Sequence, residues 1–171
     1  MRIVRIVGMA FGLLTAVATG AHGFDLTGHW VGKTTCKGLG DGEKFARKTE
    51  IVADVSESGR DVNIAFQGFG FVTLASGIAV PSTKNADKGE LGFVACGNES
   101  EPAFGVAGRG KVSTKPSKGS GTVRFTVVVA GKDLNGIGVT DATFTCTGAL
   151  KRTSTTDAGV TDCPLIMGAA R

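Results

Sequence analysis

"DLTGHWVGKTTCKG", residues 25–38, holds the chain's single tryptophan, Trp30, two residues after Gly28 and six before Cys36. In an extended strand, residues an even number apart share a face, so Trp30 and Cys36 point the same way. Near the other end, "ATFTCTGALKR" at 142–152 carries its apolar side chains at even positions, Ala142, Phe144, Cys146 and Leu150, with Arg152 in the same phase. Directly opposed residues of two antiparallel strands have numbers with a constant sum. Trp30 with Arg152 and Cys36 with Cys146 both sum to 182, so one register opposes both couples. The first and last strands of a chain pair in this way when a sheet closes on itself.

The stretch between supplies the other strands. Gly numbers 27 and Pro only 4 of 171 residues, and short alternating apolar runs replace any helical periodicity. Eight strands are predicted, at 28–37, 43–55, 61–67, 71–79, 90–96, 103–113, 122–130 and 139–152. "SESGR" at 56–60 makes a hairpin turn, and "PSTKNADKG" at 81–89 a polar loop. The expected fold is all-β, an eight-stranded antiparallel up-and-down barrel, because closure removes exposed strand edges. A two-sheet sandwich is the alternative.

Residues 1–23 read as a secretory signal peptide. Arg2 and Arg5 precede the uncharged apolar run Ile6–Ala18, and Ala21-His22-Gly23 offers small residues for cleavage. Residues 24–171 then form one barrel domain with a C-terminal tail from about 153, and nothing later is apolar enough to span a membrane. The signal removes two of 19 basic residues and none of 15 acids, which leaves a mature charge of +2. So mild a balance gives no support for nucleic acid or an anionic membrane as partner.

All four cysteines follow the signal. An even number in an exported chain reads as two disulfides, and no C-x-x-C spacing suggests zinc or a redox pair. The shared register favours Cys36–Cys146 across the closing seam, which leaves Cys96–Cys163 to pin the tail. The other two connectivities stay open at this stage. Arg152 over Trp30 would form a cation–π stack at one barrel end.

Gly28-His29-Trp30 with the late Lys151-Arg152 resembles the lipocalin and calycin superfamily, in which a G-x-W opens the first strand and a basic residue of the last strand covers the tryptophan. "LTGHW" at 26–30 is also similar to the opening of the avidin branch. The wider pattern, ending in D-C-P, resembles an exported bacterial family. The resemblance implies an eight-stranded barrel around a cavity for a small apolar ligand. The avidin branch then departs, because Gly32 stands where it carries asparagine, and the chain has no tyrosine and one tryptophan for a biotin cage.

Phe45, Phe66, Phe71, Phe93, Phe125 and Phe144 are the side chains expected to line such a cavity, although a small barrel could use the same rings to fill itself. His29 is the one histidine after the signal and has outward parity, so a Ser-His-Asp triad, a histidine metal site and haem ligation lack parts. Glu43, Glu50, Asp54, Asp61, Glu90 and Asp141 lie on or near strands with no spacing that selects a catalytic pair. "GNESEP" at 97–102 lacks the ligand ladder of a calcium loop. The expectation is a non-enzymatic exported barrel without cofactor or metal that binds a small apolar or amphipathic ligand. The alternative is a protein-binding module, such as a protease inhibitor, that acts through loops 38–42, 81–89 and 131–138.

Overall fold

A computed structural model describes residues 25–68, 71–95, 104–134 and 139–161. Eight antiparallel strands form one closed barrel in chain order: β1 (Gly28–Gly40), β2 (Glu43–Ser58), β3 (Asp61–Gly68), β4 (Phe71–Pro81), β5 (Lys88–Ala95), β6 (Phe104–Lys115), β7 (Ser120–Leu134) and β8 (Val139–Ser154). A short 3-10 turn, Pro116–Lys118, joins β6 to β7. Among the described residues no helix is long and apolar enough to cross a membrane. The segment 1–23 expected to be a signal peptide, Cys96, Cys163 and the expected turn at 97–102 lie outside the described residues.

Closure follows the expected register. Trp30 opposes Arg152 and Cys36 opposes Cys146 across β1–β8. The cysteines are bonded, with Cα atoms 3.9 Å apart, so the disulfide fastens the seam that turns the sheet into a barrel. Such a bond fits an oxidising compartment.

Several strands run further than the alternation alone implied, because the β1–β2 and β2–β3 hairpins are tight. Asp41 and Gly42 both have positive φ, 51° and 80°, the conformation a two-residue turn needs to match the right-handed strand twist. Residues 38–40 are therefore strand, and the β1–β2 connection is only 41–42. The same holds at 56–58, at 81 and 88–89, and at 131–134, so the proposed contact loops are shorter than their expected ranges. Of these, 41–42 connects strands at one end of the barrel and 82–87 at the other, and 135–138 lie outside the described residues.

The core lies inside the barrel. Trp30, Val62, Ile64 and Cys36 are fully buried, and the inward parity of β7, Val123, Phe125, Val127 and Val129, is buried with them. At about 1.5–3 kcal/mol for each fully buried large apolar side chain, this interior is the main stabilising contribution.

Candidate functional site: a sealed end and an apolar interior

One end of the barrel is closed by an ordered polar seal. Trp30 Nε1 donates to the Leu26 carbonyl at 2.8 Å, which folds residues 25–27 under the barrel, and Leu26 is 1% exposed. The Arg152 side chain is 0% exposed, and its guanidinium carbon lies 5.5 Å from the Trp30 ring centroid. Its nitrogens donate to the carbonyls of Asp25 (2.8 Å), Gly119 (3.1 Å) and Thr27 (3.3 Å) and to Asp25 Oδ2 (3.1 Å). A buried guanidinium is tolerated only when its donors are used, and these are. Asp25 is half exposed, so the ion pair itself adds little and the carbonyl bonds dominate.

Two glycines make room for this seal. Gly28 has φ +133°, and a Cβ there would stand 2.0 Å from the Ser154 carbonyl oxygen. A Cβ on Gly121 would stand 2.6 Å from the edge of the Trp30 ring. The glycine of G-x-W is thus required where β1 enters the seam beside a register shift between His29 and Trp30.

Above the seal the interior divides. A small void of about 30 Å³ adjoins Leu26, Trp30, Val55 and Leu150. A larger cavity of about 80 Å³ lies toward the other end, lined by Ile51, Thr73, Val106, Val127, Val129 and Phe144 among others. Phe66, Phe93 and Phe125 border both. The larger cavity reaches solvent-touched residues, for Gln67 is exposed and Ile51 and Gly68 are half-buried.

The expected cavity phenylalanines divide accordingly. Phe66, Phe93, Phe125 and Phe144 line the interior, and the Phe66 and Phe93 rings lie 5.3 Å apart. Phe45 lines neither cavity; it packs edge-on against Phe144 at 5.4 Å. Phe71 opens β4 opposite Gly68, and its side chain lies outside the described residues.

Two features were missed in the sequence, one lining the larger cavity and one outside its lining. Thr73 Oγ1 is buried and has no hydrogen-bond partner, although the cavity it borders is otherwise almost wholly apolar. Arg47 stands on the inward parity of β2, opposite Cys36 and between Phe45 and Ile51, and is exposed. Strand parity was the available signal for both. β2 pairs with β3 only from Val52 onward, so Glu43–Ile51 stand above the end of β3 with Arg47 at the rim.

The titratable groups expected near strands do not converge on the interior. Glu43, Glu50, Asp61, Glu90 and Asp141 are exposed, and none lines either cavity. His29 faces outward as expected but is paired, its Nδ1 2.7 Å from Asp54 Oδ1. Among the described residues no group of three or more His, Cys, Asp and Glu could hold a metal. At the sealed end Asp157 is bound to Ser56 and accepts from the Gly159 amide at 2.9 Å. These bonds, the Ser56 hydroxyl first, hold its carboxyl below the usual value.

No protein-family model, curated protein or solved structure matches the chain.

Proposed function

We propose that this chain is an exported, non-enzymatic barrel of lipocalin-like build that takes the apolar end of a small amphipathic molecule into the cavity beyond Phe66, Phe93 and Phe125. The supporting observation is Thr73 Oγ1, a buried hydroxyl without a partner at an apolar cavity. Burying such a group costs about 1–3 kcal/mol, so an unexplained one marks a place where a ligand atom can bond. About 80 Å³ is roughly half of an engineered cavity that holds benzene, so a short apolar end fits and the polar end stays at the rim beside Arg47. The small volume also favours the competing reading, a filled barrel that acts through its outer surface.

Decanoate is a suitable probe. Titration followed by methyl NMR is expected to shift Val127 and Val129 and leave Val62, on the sealed side, unmoved. Unmoved cavity methyls at saturating probe would reject the reading.

A further inference from the structure

The outer wall carries a charge pattern that net charge conceals. On β1, β6, β7 and β8 the exposed outward positions include Lys33, Lys37, Arg109, Lys111, Arg124 and Lys151, against one acid, Asp141, at the end of β8. None of the six forms an ion pair among the described residues. Glu50 and Glu90 border the wall, opposite Lys33 and Lys111.

Two details distinguish this wall from ordinary solvated lysines. Lys111 and Arg124 are direct cross-strand neighbours between β6 and β7. Like charges so placed oppose folding, and Glu90 on the other side of Lys111 offsets part of that cost. Toward the cavity end, past a row of Gly92, Arg109 and Thr126, the second outward row turns apolar: Val94 opposes Ala107, which opposes Val128, and Val94 and Val128 are 46% and 49% exposed. An apolar edge beside a basic band is the arrangement of proteins that rest at the boundary between acyl chains and anionic headgroups.

We infer that the outer wall of β6, β7, β8 and β1 docks on an anionic membrane, with Lys111, Arg124 and Lys33 on phosphate headgroups and Val128, with Val94 at the border of the wall, dipping beneath them. The wall shows no phenylalanine or tryptophan at its described outward positions, so it lacks the stacking platform of a single-strand nucleic-acid binder. A soluble polyanion would also leave Val94 and Val128 unused. The inference stands whether or not the cavity holds a ligand, although it would bring the cavity end to the bilayer surface.

The test is vesicle sedimentation with protein exported from cells that express the full chain. Binding is expected to phosphatidylcholine vesicles that contain about one-third phosphatidylglycerol, and release in about half-molar salt. The K111Q/R124Q variant is expected to bind about thirtyfold more weakly, at about fivefold per charge. It removes a repulsive pair, so its melting temperature should stay level or rise, which separates lost binding from lost folding. A charge-matched R60Q/K84Q control, changed in the β2–β3 and β4–β5 connections away from the wall, should bind as the parent does. Val128→Ser should weaken binding about fivefold, from the lost burial of one side chain. Equal binding to pure phosphatidylcholine would overturn the inference, as would unchanged binding by K111Q/R124Q. So would duplex DNA bound more tightly than vesicles with no effect of Val128→Ser, which would assign the wall to a soluble polyanion.

Discussion

Arg152 and Trp30 are directly opposed across the β1–β8 seam, and the guanidinium also lies 5.5 Å from the ring it faces. Sealing the barrel end and setting the closing register are therefore one interaction. Arg152→Ala leaves the carbonyls of Asp25, Thr27 and Gly119 without their donor. It is expected to cost about 2–3 kcal/mol, read as a lower urea midpoint at unchanged slope. Arg152→Lys keeps the charge but not the planar fork and should fall between the two.

Gly121 tests the same packing from the other side. Gly121→Ala drives a methyl into the Trp30 ring, at 2.6 Å before relaxation, and should destabilise by about 1–3 kcal/mol. Gly92→Ala, where nothing lies within 4 Å, should change stability by no more than about 0.5 kcal/mol. Thermal melts of the two variants side by side decide the point.

The seam disulfide closes a sequence separation of 110 residues. The paired change Cys36→Ser with Cys146→Ser should lower stability by about 2–5 kcal/mol in denaturant unfolding. The barrel should persist, because the neighbouring ladder pairs hold the same register.

Much of this was legible from residue numbers alone. The constant sum of Trp30 with Arg152 and Cys36 with Cys146 contains the closing register, and the closed up-and-down order follows from it. Strand ends were less legible, because the Asp41-Gly42 turn looks like a glycine-rich loop until its backbone is seen. Asp25 was missed as part of the seal because its partner Arg152 lies 127 positions away, and Leu26 because its bond to Trp30, four positions on, folds the chain in a way that strand alternation does not show. The basic wall was invisible for a similar reason. Acids and bases alternate along the chain, and only strand pairing brings Lys111 beside Arg124 and Lys33 into the same row. For the interior, parity marked Phe66, Phe93, Phe125 and Phe144 correctly. It could not tell a lining ring from Phe45, which packs on its neighbour.

Asp157 links the tail to β2 through Ser56, and Val160 donates to the same hydroxyl at 2.8 Å. A depressed carboxyl stabilises the fold fully above the unfolded value of 3.8 and loses that contribution as pH falls through its lower folded value. A carboxyl ¹³C titration should place the Asp157 midpoint below 3.8, and Ser56→Ala should raise it. An unchanged midpoint in Ser56→Ala would contradict this assignment.

Thr73 separates stability from binding. Thr73→Val exchanges an unpartnered buried hydroxyl for a methyl group of similar size and should stabilise the free protein by about 1 kcal/mol. The same change should weaken decanoate binding measured by calorimetry. A variant that is both less stable and unaltered in binding would remove Thr73 from the proposed site.

Native mass spectrometry of the protein, purified without detergent, tests the carrier reading most directly. The account predicts a discrete extra mass that leaves on denaturation and is less abundant in Thr73→Val. A clean apo mass in both proteins would contradict it and assign the phenylalanine interior to packing alone.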